Sequence, residues 1–587
     1  MKSRLILVGL FALLWAGGIG YRLHDLQVVK HDVYAQRAER QQQRVVQVTP
    51  PRGTIYDARG RELAVSLEVA SAFAVPREIE DPAATAKALA PVLKVSAREL
   101  LPRLQGDGEF AWIERKLDPP VAEAVEALDL PGIHFLHEYR RYYPLGRTAA
   151  TVLGFVGLDN QGLAGLEYQY NTEISGKRGE RTLLRDARRG LLANPSLPAS
   201  DAEPGQDLRL SIDATLQFIA EEELARAVEA NAARSGSAVL LDPESGAVLA
   251  MASFPSFDPN LPATGARSEA QRNKVIADAY EPGSTFKMVT AAAVLEARAV
   301  DPDDVFDCQM GAITLHGVRI GDHKPFGLLS FRQVIQKSSN VGVIKAESRL
   351  PREDFYAAIQ AFGFGRATGI DLPGENPGLL RTLDAWGALT PAYVSFGQGI
   401  GVTPVQLVRA FAAVANGGFL LQPHVVEALG HDDEWWQLHP VAPVVGKPLT
   451  PGTARVLGGL LEGVTVEGGT GYRAAIEGYR VAGKTGTAET AADGGGYSSS
   501  RFVPSFVGYA PASRPAVVGL VVIDSPRAGS IGGGAVAAPV FARIVGRALL
   551  YLGVPPDAPP VAPGQVAGDP WAGRETVASA SGGTRGI

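Results

Sequence analysis

Cysteine is almost missing from this chain of 587 residues: Cys308 stands alone, so no intrachain disulfide forms and no cysteine cluster holds a metal. A solitary cysteine of this kind is expected as a small buried apolar side chain. An excess of basic charge is missing too. The formal net charge is −6, which removes the electrostatic footprint of a nucleic-acid partner. The nine histidines form no ligand pattern. His134 and His137 stand three apart with no further histidine or carboxylate at ligand spacing, and His137-Glu-Tyr-Arg-Arg lacks the second histidine of a zinc-protease motif. Neither a metal nor a cofactor is expected, and no internal repeat is visible. What remains is ordinary globular material, 46% hydrophobic and 20% charged, long enough for two or three domains.

Long hydrophobic runs are limited to one. Met-Lys-Ser-Arg is followed by an apolar stretch over 5–20, closed by Tyr21 and Arg22. At 1.5 Å per residue it covers about 25 Å, short of a ~30 Å hydrocarbon core but workable with snorkelling flanks. Lys2 and Arg4 place the N-terminus inside. The competing reading is a cleaved signal peptide, with Ala16-Gly-Gly18 as the small-residue cleavage site. Leu23, Leu26, Val29 and Val33 continue a three-to-four spacing, which predicts a helical stalk beyond the span.

Further on, Arg52-Gly-Thr-Ile-Tyr-Asp57, Arg141-Tyr-Tyr-Pro-Leu-Gly146 and Gly165-Leu-Glu167 combine glycine with charge. Such strings mark tight turns held by salt bridges, with Arg52, Asp57 and Glu167 as ion-pair candidates. Residues 191–206 are rich in proline, serine and alanine and read as a linker. Beyond them the expected elements are a helix over 213–233 capped by Asp213, a hairpin of strands 237–242 and 247–252, and a helix over 284–300. Late strands over 480–488, 506–510 and 516–524 and a closing helix over 535–552 follow. Helices between an early hairpin and late strands predict an α+β fold with an antiparallel sheet flanked by helices and a separate all-helical cluster. From 555 the chain is Pro, Gly, Ala and Ser, with little to bury, and is expected to be disordered.

Chemistry is concentrated in three short strings: Ser284-Thr-Phe-Lys287, Ser338-Ser-Asn340 and Lys484-Thr-Gly-Thr487. In the first, serine and lysine three apart share one helix face, so a neutral lysine can take the serine's proton. Ser284 is the candidate nucleophile and Lys287 the candidate base. A lysine near its ordinary pKa must fall about 3 units to be half neutral at pH 7, a cost of about 4 kcal/mol that burial facing Lys484 can supply. Ser338 relays a proton toward the leaving amine, and Asn340 holds Lys287 and a substrate amide. Read alone, the second string is a helix N-cap; its position between the other two favours chemistry. Lys484 supplies positive potential, Thr485 and Thr487 bind a substrate carboxylate, and Gly486 lets substrate backbone approach. Backbone N–H groups of Ser284 and Thr487 are expected to form an oxyanion hole.

These three strings in this order resemble those of the class B penicillin-binding proteins, and of their division-specific D,D-transpeptidases in particular. Glu281-Pro-Gly-Ser-Thr-Phe-Lys287, Lys337-Ser-Ser-Asn-Val-Gly342 and Ala535-Val-Ala-Ala-Pro-Val-Phe541 carry the same resemblance, which extends to about Gly553. Asn340 and Thr485 favour the division type over elongation-type relatives. The resemblance implies a cytoplasmic stub at 1–4, an anchor at 5–21, a non-catalytic pedestal of dimerisation type at 22–190, the linker at 191–206, a transpeptidase domain at 207–554 and the tail at 555–587. It implies cross-linking of peptidoglycan stem peptides through an acyl-enzyme, with a D-Ala-D-Ala donor and an amine acceptor, inhibition by β-lactams, and location in the inner membrane with the catalytic domain in the periplasm. No glycan-polymerising domain is present, so an FtsW-type glycosyltransferase and other division proteins are implied partners. One departure is Pro526-Arg-Ala-Gly-Ser-Ile-Gly532, where division-type relatives often carry two aromatics at the positions of Ile531 and Gly532, so one wall of the site is expected to be more open.

Three other functions use or tolerate the same motifs. A D,D-carboxypeptidase or β-lactamase hands the acyl group to water, a β-lactam sensor needs a signalling module, and a division scaffold needs no chemistry. The long pedestal argues against a β-lactamase, the short cytoplasmic stub against a sensor, and the intact motifs against an inactive scaffold.

Overall fold

The computed structural model describes residues 2–34, 43–106, 108–185, 191–193, 199–200, 202–261, 269–431, 434–491 and 497–558. The chain opens with helix α1, Lys2–His24, which has no buried residue. With the π-helical turn Asp25–Val29 it forms a helical stretch of mean hydropathy 1.7, long and apolar enough to cross a membrane. Residues 31–34 are again helical, so the stalk expected from Leu23, Leu26, Val29 and Val33 is present as three short segments. An ion pair from Arg22 to Asp25 (2.9 Å) ties the first junction.

The next layer is strand-rich. Strand β1, Gln43–Val48, pairs antiparallel with a later strand over Gly179–Arg185. Between them β2 (Ile55–Tyr56), β3 (Glu62–Ala74), β4 (Ala111–Glu114) and β5 (Ile133–Tyr142) build one side of a larger sheet, in which β3 pairs with β2, β4 and β5. Helix α2, Gly165–Gln169, carries Glu167 into the middle of this region. The later strand, β6 (Gly179–Arg185), also pairs with short strands at Leu191–Ala193 and Ala199–Ser200, so strand pairing continues into 191–206.

β7, Asp207–Leu210, is the seam of the molecule. It pairs parallel with β2 through Ile55↔Leu208 and antiparallel with a strand over Val426–His431. A single seven-stranded sheet therefore runs from the pedestal strands into the C-terminal half. Gly53 fixes this seam: a Cβ there would lie 1.8 Å from the Gln206 carbonyl oxygen, so only glycine admits the approach.

Beyond the seam, helix α3 (Ala214–Ala230) is capped by Asp213, which accepts from the N–H groups of Thr215 and Leu216. Strands β8 (Ser235–Leu241) and β9 (Val248–Phe254) form the expected hairpin. Its hydrogen-bonding continues into β12 (Val517–Asp524), β11 (Tyr497–Ala510) and β10 (Ala482–Ala491), an all-antiparallel sheet in the order β9-β8-β12-β11-β10. Alternate faces of this sheet are buried by different helices. Leu216, Ala220 and Leu224 of α3 pack on one face with Phe541 and Val545 of the C-terminal helix. Pro404–Ala415, buried along most of its length, covers the other face together with the all-helical cluster. The architecture is the α+β arrangement expected from the pattern of elements.

Three boundaries differ from expectation for local reasons. The C-terminal helix is two pieces, Gly533–Val536 and Ala538–Tyr551, because Pro539 at the second helical position has no N–H to continue the first. The strand expected over 506–510 starts at Tyr497, since Pro504 is accommodated opposite Thr487 instead of ending the ladder. The tail expected from 555 is ordered to Ala558, where Asp557 accepts from the Arg480 backbone and the Ser513 hydroxyl (2.7 and 2.6 Å). Residues 559–587 lie outside the described residues.

Candidate active site

The three strings converge at the exposed edge of β10. Ser284 lies on a single 3-10 turn, Gly283–Phe286, and Lys287 begins the α-helix Lys287–Glu296 that follows. The expected helix thus opens as a 3-10 turn, which keeps the serine at the mouth of the site while the lysine points into the protein. Gly283 makes the turn possible. It holds φ +54°, and a Cβ there would stand 3.0 Å from the Thr487 carbonyl oxygen. A Cβ on Gly397 would lie 2.1 Å from the Gly283 carbonyl oxygen, so a second glycine clamps the turn from behind.

Ser338-Ser-Asn340 is a break between two helices. Phe331–Lys337 ends with Ser338 in the left-handed region at φ +60°, a conformation costing a non-glycine residue about 1–2 kcal/mol. Ser339 then caps Asn340–Glu347, accepting from the Gly342 N–H (2.9 Å). Capping and chemistry are divided between neighbours: the middle serine caps, and the left-handed turn aims Ser338 and Asn340 at Lys287.

Lys287 is fully buried, and its Nζ donates to the Ser338 carbonyl (2.7 Å), the Asn340 Oδ1 (2.7 Å) and the Ser338 Oγ (3.2 Å). Lys484, also fully buried, donates from β10 to the same Ser338 Oγ (3.0 Å). Burial pushes Lys287 down to about 7, against an opposing pull from the Asp322 carboxylate. Lys484 is driven well below the ordinary lysine range, first by burial and then by repulsion from Lys287. Of the two causes expected for Lys287, burial is the one that lowers it, and the repulsion between the two lysines depresses Lys484. Two amines on one hydroxyl, in a site this dry, titrate as a pair.

The rest of β10 completes one wall. Thr485 is nearly buried, its hydroxyl 2.9 Å from that of Thr470. A Cβ on Gly486 would lie 2.5 Å from the Ser505 Oγ and 2.8 Å from the Pro282 carbonyl, so Gly486 admits the serine turn itself as well as leaving room at the strand. Thr487 is exposed, and its Oγ1 accepts from the Gly533 N–H (3.0 Å). Ile531, two residues earlier, is 44% exposed.

All eight expected residues, Ser284, Lys287, Ser338, Asn340, Lys484, Thr485, Gly486 and Thr487, are thereby brought to one place. Missed by sequence reasoning are Asp322 and Thr470, which reach the site from separate loops, and Gly533, the first residue of a short helix; none carries a local signature. Cys308 is buried as expected, and it also receives a contact from the Ser339 hydroxyl (3.4 Å). Among the described residues no group of three or more His, Cys, Asp or Glu is arranged to hold a metal ion.

Comparison with known proteins agrees with this geometry. The model of the penicillin binding protein transpeptidase domain matches residues 236–546, and that of the penicillin-binding protein dimerisation domain matches 47–210. The peptidoglycan D,D-transpeptidase FtsI of Escherichia coli is 37% identical over 92% of this chain and 90% of its own length. Stage V sporulation protein D of Bacillus subtilis is 36% identical over 95% and 87%. The crystal structure of penicillin binding protein 3 from Mycobacterium tuberculosis complexed with aztreonam superposes with a TM-score of 0.69 at 28% identity, covering 88% of this chain and 99% of that one. The chain belongs to the class B penicillin-binding proteins, with a dimerisation domain followed by a transpeptidase domain.

Proposed function

We propose that this protein is a peptidoglycan D,D-transpeptidase that cross-links stem peptides of the septal wall through an acyl-enzyme on Ser284. The observation that carries the reading is the fully buried Lys287, held near neutrality three residues from Ser284 and bonded to Ser338 and Asn340. In the first half-reaction the Ser284 Oγ–H bond breaks and its proton goes to the neutral Lys287 Nζ. Oγ bonds to the carbonyl carbon of the penultimate D-Ala, and backbone N–H groups of Ser284 and Thr487 stabilise the oxyanion. Collapse breaks the peptide bond, and the leaving D-Ala amine takes a proton through Ser338. In the second half-reaction an acceptor amine attacks the ester carbon, its proton passes through Lys287 to the Ser284 Oγ, and the ester C–Oγ bond breaks to leave the new peptide bond and free Ser284. Thr485 and Thr487 hold the donor carboxylate, Lys484 adds positive potential when it carries the shared charge, and Gly486 admits the substrate backbone. A β-lactam follows the first half only, because its leaving nitrogen stays tethered.

The 2–29 helical stretch supports a single-pass inner-membrane protein with 1–4 in the cytoplasm, 5–21 as anchor and the rest in the periplasm. N-terminal sequencing of membrane-extracted protein tests this, since a chain starting near Gly17 or Gly18 means a cleaved signal. Residues 22–190 serve as a pedestal joined through 191–206 to the transpeptidase unit at 207–554. An FtsW-type glycosyltransferase and other division proteins are the proposed partners, since the matched domains are a dimerisation domain and a transpeptidase domain. The decisive experiment incubates the purified protein with a D-Ala-D-Ala stem peptide, with and without an acceptor amine. Cross-linked product with acceptor, and one penicillin adduct by intact mass that is lost in Ser284→Ala, is the expected result. Hydrolysis alone would make it a carboxypeptidase, and an equal adduct in Ser284→Ala would exclude Ser284.

A further inference from the structure

The hairpin of Ala312–Leu315 and Val318–Gly321 ends beside the Ser338 turn and delivers Asp322 to it. Its place is fixed by the backbone, since the Asp322 N–H donates to the Gly311 carbonyl (2.8 Å). One carboxylate oxygen of Asp322 accepts from the backbone N–H groups of Asn340 and Val341 (the second at 3.1 Å), and the other accepts from the Ser339 hydroxyl (2.7 Å). The neighbouring Gly321 carbonyl accepts from Asn340 Nδ2 (2.8 Å). That last bond decides how the Asn340 amide is turned: with Nδ2 committed to Gly321, only Oδ1 remains to accept from Lys287.

We propose that Asp322 is a positioning residue of the transpeptidase site, holding Asn340 and the left-handed Ser338 turn in the geometry that receives Lys287. The inference rests on Lys287 being the base. Three donors are satisfied by one carboxylate that makes no bond to Lys287 itself, so Asp322 acts through the turn. Its negative charge has a second consequence. The charged and titratable groups facing Lys287 are Lys484 from the edge strand and Asp322 and His323 from the hairpin end. Asp322 is the anion among them and favours the protonated lysine. Burial depresses Lys287 while Asp322 restrains the fall, which keeps the amine basic enough to take a serine proton.

The test compares Asp322→Asn and Asp322→Ala with wild type, measuring the rate of Ser284 acylation by a fluorescent penicillin across pH 5–9 on protein shown folded by its melting curve. Asparagine keeps an acceptor oxygen but no charge. It should retain most of the plateau rate, while the acid limb moves to lower pH because protonated Lys287 has lost its anion. Alanine keeps neither, so its plateau should fall about 100-fold, the scale of a misplaced catalytic group. Ser339→Ala, which removes one of the three donors and no charge, should leave the acid limb in place. If both Asp322 variants melt lower yet keep the wild-type limb and plateau, Asp322 is only a helix cap and the proposal falls. If the wild-type rate shows no acid limb near pH 7, the assignment of Lys287 as base fails instead, whatever the variants do.

Discussion

The Glu167 cluster and the lysine pair are both buried sets of charge-bearing side chains, and they are built on opposite rules. In the pedestal, Glu167 is completely buried between two guanidiniums. Arg52 bonds it at 2.7 Å and Arg141 at 2.5 Å, and further Arg52 and Arg141 donors go to Asn160, Asn171 and Gly53. In the active site Lys287 and Lys484 are equally buried, yet neither bonds a carboxylate; their partners are a hydroxyl, an amide oxygen and carbonyls. A paired cluster keeps its charges and spends them on geometry. An unpaired one must surrender charge, and a lysine that has done so is a base. Burial of a charged residue does not by itself separate structure from chemistry here, because arginine and glutamate are buried in both halves. The counter-ion does.

The sharpest way to break the comparison is to force a permanent charge into the unpaired cluster. Lys287→Arg keeps the cation and removes the base, so penicillin acylation should fall at least about 1,000-fold, within the range for a lost general base. Rapid acylation by the folded variant would mean that the site tolerates charge and that proton transfer runs elsewhere. The complementary change strips the anion from the paired cluster. Glu167→Ala leaves two guanidiniums facing each other without it, at a cost of about 3–5 kcal/mol. A lowered melting temperature with near-normal acylation per folded molecule is expected. Lost acylation at unchanged stability would show that the pedestal cluster belongs to the catalytic machinery.

How far each cluster was legible in the sequence follows from the same contrast. That Ser284, Lys287, Ser338, Asn340 and the 484–487 string come together was legible because each string places its polar groups at fixed short spacings on one turn or strand. Arg52, Asp57 and Glu167 could be singled out as ion-pair members, and Arg52 does meet Glu167. Asp57 is an ion-pair member too, bonded by Arg61, and it also accepts from the N-terminus of the helix capped by Asp213. No sequence pattern tied Asp57 to Ala214, because that contact spans the seam where β7 joins both halves. Asp322 was invisible for the same reason: its partners lie on another element, and an aspartate after a short strand looks like any turn residue. Chain-local chemistry can be read, while contacts made by packing cannot.

Smaller effects sharpen the account of the lysine pair. Protonated Lys287 cannot accept a proton, so acylation should rise with pH through a midpoint near the value of about 7 to which burial brings it. Lys484 shares Ser338 Oγ with Lys287 and is depressed by burial and by repulsion from Lys287, whereas the Asp322 carboxylate opposes the fall of Lys287. Lys484→Arg fixes that charge next to Lys287, which should push the Lys287 midpoint to lower pH while retaining appreciable activity, a loss on the order of 10-fold. Acylation rates against pH for both lysine variants separate the roles. Equal losses in the two would mean that the pair acts as one unit.

The smallest effect comes from a half-buried group that follows neither rule fully. Glu221 on the helix after the seam accepts from the Ala149 N–H of the pedestal (2.9 Å) and from Gln217 Nε2 (2.6 Å), partners that carry no charge. Burial raises its carboxyl to about 7. A folded-state value above the unfolded one means that the native protein binds the proton more tightly. Stability is therefore fully present below the unfolded value of about 4.5 and is lost progressively as pH rises toward 7 and beyond. Glu221→Gln keeps an acceptor oxygen for both donors and removes the ionisation. It should match wild type at pH 5 and exceed it at pH 8 by about 1 kcal/mol, read as a melting temperature that falls less with pH. If the two proteins lose stability in parallel across that range, the carboxylate at the seam has found a cation or water that offsets its charge, and it belongs with Glu167 instead of with the lysines.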